Sequence, residues 1–249
     1  MLDVERIGEG PPVLFVHGSV VGAGVTWRKQ RELAARWTLI LPSRPGFGGS
    51  PPLERGDFEL EAPMFAELLE DGAHLVGHSY GAVIALLAAA ERPEAVRSLT
   101  VSEPGALRLA EGRADVDEMI ANGELLFGDP ASIPAEDFLR LFRSGAGSSH
   151  PTPGELPEEL ARGVELLKRE RPPWEAEIPL DRLAAAGFPA LVISGDHSPV
   201  FEAVCDSLAA ALSAERAVIP GRGHSIPSTG APYNERLEAF LRVAESAAV

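Results

Sequence analysis

Short, almost continuously apolar runs recur along the chain, and each ends at glycine, proline or a polar residue. Val13–Val16 enters His17-Gly18, Thr38–Leu41 stops at Pro42, and Leu75-Val76 leads through Gly77-His78-Ser79-Tyr80-Gly81 into Ala82–Ala90. Val96–Val101, Ala190–Ile193 and Arg216–Ile219 repeat the pattern. Runs of this length bounded by turn residues predict strands. Because they scarcely alternate with polar positions, they predict strands buried on both faces, as in a parallel sheet covered by helices. The Ala-rich segment 82–90 predicts one covering helix, since Ala loses least on becoming helical, and Pro93 supplies its stop. The expected architecture is α/β, a mostly parallel central sheet flanked by helices, with the loops at the strand ends converging on one edge.

The rhythm lapses between about Leu107 and Glu177. Three helix-like stretches, Ala114–Phe127, Pro134–Phe142 and Glu155–Glu170, follow one another there without a strand. They predict an inserted helical cap over 107–177, carried by a core of 1–106 and 178–249. A length of 249 residues suits one core with a subdomain, at roughly 150 residues per domain. Ser144-Gly145-Ala146-Gly147-Ser148-Ser149 reads as a hinge or as a surface loop. Phe127, Phe138, Phe142 and Trp174 are candidate substrate-binding residues, with packing of the cap against the core as the competing use of the same side chains.

The densest chemistry lies in Gly77-His78-Ser79-Tyr80-Gly81, between a strand and an Ala-rich helix. A sharp strand-to-helix turn exposes the serine oxygen, and glycines at both ends relieve crowding around it. Ser79 is therefore the candidate nucleophile. A neutral hydroxyl needs a base, and His224 follows the last strand through the glycine-rich Pro220-Gly221-Arg222-Gly223. With His17-Gly18 near the start, the serine elbow in the middle and Gly223-His224 near the end, the chain resembles the alpha/beta-hydrolase superfamily over essentially its full length, in the branch with a serine nucleophile and a helical cap.

The resemblance implies a triad of Ser79, His224 as general base, and an acid lying between them in sequence. Glu103, in Val101-Ser102-Glu103-Pro104, and Asp196, in Gly195-Asp196-His197-Ser198, each follow a strand. In many similar hydrolases the acid stands three residues after that late glycine, where this chain has Ser198, so the resemblance turns attention to Glu103 as the alternative, with Asp196 retained. It also implies an oxyanion hole formed by the backbone amides of Ser19 and Tyr80. His78, held in the elbow, and His17, beside the oxyanion loop, read as local supports. Ser43-Arg44-Pro45-Gly46-Phe47-Gly48-Gly49-Ser50 resembles a glycine-rich loop of the same fold and lacks the spacing of a dinucleotide or phosphate cradle.

Charge narrows the partners. Twenty-two basic and 37 acidic side chains leave a net −15, which disfavours nucleic acid and leaves a small molecule as the expected partner. No apolar run is long enough to span a bilayer, so no membrane partner is expected. One cysteine, Cys205, and a start without a basic-then-apolar segment point to a cytoplasmic setting. No cofactor is expected, and Asp196-His197 lacks a further ligand at metal-site spacing. The expected function is hydrolysis of a small carboxylic ester or lactone through an acyl-enzyme. The alternatives are thioester or carbon–carbon bond hydrolysis, cofactor-free haloperoxidase-like chemistry, and a low-turnover small-molecule receptor using the same pocket. Oligomeric state does not follow from the sequence.

Overall fold

The structure, a computed structural model, describes residues 1–147 and 152–247. Among these residues, strands β1 (Val4–Ile7), β2 (Pro12–Val16), β3 (Thr38–Pro42), β4 (Ala73–His78), β5 (Val96–Ser102), β6 (Ala190–Ser194) and β7 (Glu215–Val218) form one sheet. Their order is β1-β3-β2-β4-β5-β6-β7. Only β1 runs antiparallel, beside β3 at the edge; the remaining pairs are parallel. Every residue of β4 is buried, as expected of a strand covered on both faces. The order reverses between β2 and β4, and such a switch point leaves a crevice beyond the carboxyl ends of the strands.

Helices cover both faces. On one side α2 (Phe58–Glu67), α3 (Tyr80–Glu91), α7 (Leu180–Ala186) and α8 (Pro199–Leu212) bury Phe58, Phe65, Ile84, Leu86, Leu183 and Leu208 against the sheet. On the other, α1 (Ala23–Thr26) and α9 (Ala231–Ala247) bring Ala23, Tyr233, Leu237 and Leu241 together with Trp27 and Trp37. Truncating one such fully buried Leu to Ala costs about 2–5 kcal/mol.

Between β5 and β6 lie α4 (Ala114–Gly128), α5 (Ala135–Gly145) and α6 (Glu158–Leu167). These overlap the three helices expected there, the third shortened at both ends. Pro157 holds an extended backbone, φ −53° and ψ 147°, just before α6, so Glu155 and Leu156 remain outside that helix. In the expected hinge, Ser144 and Gly145 complete α5, and Ser148 and Ser149 lie outside the described residues. Val20 of the core packs with Phe138, Leu139, Leu156, Val164 and Leu167. Val116 and Ile120 of α4 pack with Trp174 and with Val200, Phe201 and Val204 of α8.

Candidate active site

Strand β4 ends at His78 and helix α3 begins at Tyr80, so Ser79 alone turns the chain, at φ 57° and ψ −122°. Such a conformation costs a residue with a side chain about 1–3 kcal/mol and persists only where the surroundings enforce it. They do so through close packing: a Cβ added to Gly81 would lie 2.3 Å from the carbonyl oxygen of Val16 and 2.4 Å from that of His17. The end of β2 is thus pressed directly onto the start of α3. Parallel hydrogen bonding continues past the strands, with Ser79 N–H donating to Ser102 O at 3.0 Å and Glu103 N–H to Ile193 O at 3.0 Å. This continuation fixes the elbow, the loop after β5 and the loop after β6 side by side.

From that edge three side chains form a chain of hydrogen bonds. His224 Nε2 lies 2.9 Å from Ser79 Oγ, and its Nδ1 lies 2.6 Å from Glu103 Oε2. Glu103 is fully buried and also accepts from Gly195 N–H at 2.7 Å and from His197 Nε2 at 2.9 Å. Burial pushes its carboxyl pKa up, but the bonds from His197 and His224 outweigh this and hold it at about 2. An ionised acceptor at Oε2 requires the proton of His224 on Nδ1, which leaves the Nε2 lone pair facing the serine hydroxyl. The His224 ring is held from two further directions. Phe201 stacks on it with centroids 4.6 Å apart, and His78 Nε2–H donates to its carbonyl oxygen at 2.8 Å. Burial above all holds His78 at about 4, so it is a neutral donor there.

The structure brings Glu103, and not Asp196, to His224. Asp196 is exposed, and its loop is secured through its backbone N–H, which donates to Glu202 Oε1 at 3.0 Å.

The backbone beside Ser79 is ordered by a buried ion cluster. Arg44 donates to Glu61 through Nε at 2.8 Å and Nη2 at 2.9 Å, and Nη2 lies 2.8 Å from Glu170 Oε1. Nη1 donates to Gly18 O at 3.1 Å, while the Arg44 backbone N–H donates to His17 Nε2 at 2.9 Å. His17, held at about 3 first by burial and then by Arg44, is a neutral acceptor at that nitrogen. The Ser19 hydroxyl donates to Glu170 Oε2, and the Arg44 guanidinium sits 4.2 Å from the centre of the Tyr80 ring. Burial pushes the Glu170 carboxyl up against the pull of Arg44 and Ser19. One arginine therefore braces both Ser19 and Tyr80, whose amides accompany Ser79 at this edge. Helix α6 adds steric support, since a Cβ on Gly163 would lie 1.8 Å from Val20 O.

Ser79 and His224 line a cavity of about 610 Å³. Phe127, Phe142, Trp174 and Phe201 line it too. Phe138 does not: it is fully buried among the helices between β5 and β6, edge-on to Phe127 with centroids 5.4 Å apart, because it occupies the inward face of α5. A second hollow of about 820 Å³ reaches Phe127 and Glu170 but neither Ser79 nor His224. The chemistry therefore assigns the smaller cavity as the candidate site. Among the described residues, Glu103, His197 and His224 are the grouping whose spacing suits a metal ion, their ligand atoms lying within 4.8 Å of one another. Those atoms already satisfy each other as hydrogen-bond partners.

Sequence reasoning missed Arg44, Glu61, Glu170, His197 and Phe201. Arg44 stood in a loop already marked as part of the fold, and a charged residue flanked by serine and proline gives no sign of burial. His197 was weighed only as a metal ligand, and it lies in the turn before α8, whose first turn carries Phe201, so no helical periodicity links the two.

The sequence profile of the alpha/beta hydrolase family matches residues 13–241. A pimeloyl-[acyl-carrier protein] methyl ester esterase of Chromobacterium violaceum is 34% identical over 166 residues, a stretch spanning 64% of each chain and so just under two thirds of that relative. A 2-(acetamidomethylene)succinate hydrolase of Mesorhizobium japonicum is 29% identical over 243 residues, covering 90% of this chain and 85% of that one. Among solved structures, a thermophilic esterase from Thermogutta terrifontis superposes with a TM-score of 0.68 at 24% identity, covering 98% of this chain and 93% of that one, a likeness of fold. The profile match over most of the length establishes that the chain belongs to the alpha/beta hydrolase family.

Proposed function

We propose that the chain hydrolyses small carboxylic esters, lactones included, through an acyl-enzyme on Ser79. The observation that carries this reading is the unbroken relay of Glu103, His224 and Ser79 opening into an apolar cavity. Residues 107–177 act as the cap over a core of 1–106 and 178–249. Ser79 Oγ attacks the carbonyl carbon as His224 Nε2 takes its proton, and buried Glu103 stabilises the imidazolium so formed. The developing oxyanion is met by the Ser19 and Tyr80 amides, and losing one such donor costs about 10²–10³ in turnover. His224 then protonates the leaving alcohol. Water, deprotonated by the same nitrogen, attacks the acyl carbon and releases the acid and the free Ser79 hydroxyl.

Relatives named as methyl ester esterases support an ester over other acyl groups. Phe201 packs against His224, and Leu107, Met119 and Leu126 join the aromatic side chains in the cavity lining, which suits an apolar acyl chain. Asp115 and Glu118 line the cavity, while no lysine or arginine does so among the described residues. An uncharged substrate therefore suits it better than one carrying a free carboxylate. Among the described residues no helix is long and apolar enough to cross a membrane.

The test is hydrolysis of methyl and p-nitrophenyl esters of graded chain length by the wild type and by Ser79→Ala. Multiple turnover that disappears in Ser79→Ala is the expected result. Turnover surviving that substitution would remove Ser79 from the reaction.

A further inference from the structure

We infer that His197 is a positioning residue for the proposed reaction, gripping the Glu103 carboxylate so that His224 stays aimed at Ser79; this rests on the reading of those three residues as the relay. His197 Nε2 lies 2.9 Å from Glu103 Oε2, the same oxygen that meets His224 Nδ1 at 2.6 Å. Two residues earlier in the same loop, Gly195 N–H donates to Oε1 at 2.7 Å. The loop after β6 therefore holds both oxygens of an acid that belongs to the loop after β5. With Gly195 and His197 in place, the carboxylate plane does not depend on His224. That independence matters in turnover, because His224 takes a proton from Ser79 and hands it to the leaving oxygen.

The geometry sets which nitrogen of His197 donates. A bond to an ionised carboxylate requires hydrogen on Nε2, and that nitrogen is the one turned to Glu103. Through that bond His197 restrains Glu103. Phe201 sets the spacing, its ring centre 5.8 Å from His197 and 4.6 Å from His224, with the two imidazoles 6.2 Å apart and steeply inclined at 66°.

The test compares the full chain with His197→Gln, which keeps a side-chain N–H donor at similar reach, and His197→Phe, which keeps a ring without one. Hydrolysis of p-nitrophenyl butyrate gives kcat and KM, and thermal unfolding checks the fold. His197→Phe should lose about tenfold in kcat with KM little changed, as expected for one charge-assisted hydrogen bond acting through position. His197→Gln should recover most of that loss. A kcat for His197→Phe equal to wild type overturns the inference, and so does a His197→Gln as impaired as His197→Phe. Nitrogen NMR of the wild type gives a readout independent of either variant and of turnover. A His197 ring carrying its proton on Nε2 supports the assignment, and one carrying it on Nδ1 overturns it. Absence of Ser79-dependent turnover in the wild type would instead remove the reading of the reaction, leaving the tautomer to judge the contact.

Discussion

Replacing Glu103 by Gln removes the charge of the relay while keeping its shape. The two carboxylate oxygens carry unequal loads: Oε1 meets one donor, Gly195 N–H, and Oε2 meets two, the rings of His224 and His197. A glutamine carbonyl therefore settles at the Oε2 position, where it satisfies both rings, and its NH2 faces the Gly195 N–H, which loses its acceptor. His224 then keeps its proton on Nδ1 and its lone pair toward Ser79, so the loss comes from the missing attraction between carboxylate and imidazolium. With roughly 4 Å between charge centres and an effective dielectric near 20, that attraction is about 4 kcal/mol. A barrier raised by that much lowers kcat/KM by about 10³. The opposite amide orientation would force the wrong tautomer, for which a loss of about 10⁴ is known in a serine protease triad. Asp196→Asn is the matched control, since Asp196 is exposed and away from His224. Steady-state kinetics on one small ester, with thermal unfolding to confirm equal folding, measures both. Activity of Glu103→Gln within about tenfold of wild type, or an Asp196→Asn as damaged as Glu103→Gln, would refute the acid assignment and the charge argument behind it.

Acid should destabilise the fold early. His17 and His78 are held at about 3 and about 4 against an ordinary 6.5, so below pH 6.5 the unfolded chain takes up protons that the folded one refuses. At about 1.4 kcal/mol per pH unit, each histidine withdraws about 2 kcal/mol by pH 5. Glu103, depressed from 4.5 to about 2, adds its own loss only as the pH falls from 4.5 toward 2. Urea midpoints should therefore fall between pH 7 and 5, and a flat profile would contradict this. Arg44→Leu should cost about 3–5 kcal/mol in urea unfolding by stranding buried Glu61 and Glu170, with part of the loss recovered on adding Glu61→Gln and Glu170→Gln. Equal stability of the single and triple variants would argue against the pairing. Gly163→Ala forces a Cβ toward Val20 O and should shift the loop carrying Ser19, lowering kcat about 10–10² with less effect on KM. Wild-type kcat in that variant would separate α6 from the loop carrying Ser19.

Much of the fold was legible because its strands are buried on both faces and leave unbroken apolar runs, as in Val13–Val16 and Ala190–Ile193. Edge strand β1 escaped notice because Val4-Glu5-Arg6-Ile7 has two charged residues between its apolar ends, and an edge needs burial on only one side. Helix α2 carries Pro63 in its interior, which breaks the helical signal, although Asp57 caps its start by accepting from Glu59 N–H. Ser79 and His224 declared themselves through their flanks. The carboxylate that meets His224 did not, because Glu103 and Asp196 occupy equivalent places after neighbouring strands. Their difference lies in which loop turns inward, and the pairing of Ser102 with Ile193 settles that in space rather than along the chain. Arg44 was hidden for a related reason: its counter-charges are Glu61 on α2 and Glu170 just beyond α6, and only the fold brings them together. Phe138 and Phe142 share one helical stripe, yet one packs between α5 and α6 and the other faces the cavity, a distinction beyond the reach of periodicity.

The central claim is that Ser79 becomes acylated and is freed again by water. Intact-protein mass spectrometry on samples quenched in acid during turnover of a p-nitrophenyl ester tests it directly, with peptide mapping to place the adduct. The expected result is one acyl group per chain, on the peptide containing Gly77-His78-Ser79-Tyr80-Gly81, vanishing as substrate is exhausted and absent from Ser79→Ala. An adduct on another residue, or turnover of the ester with no Ser79 adduct even when His224 is replaced to slow its release, would contradict it.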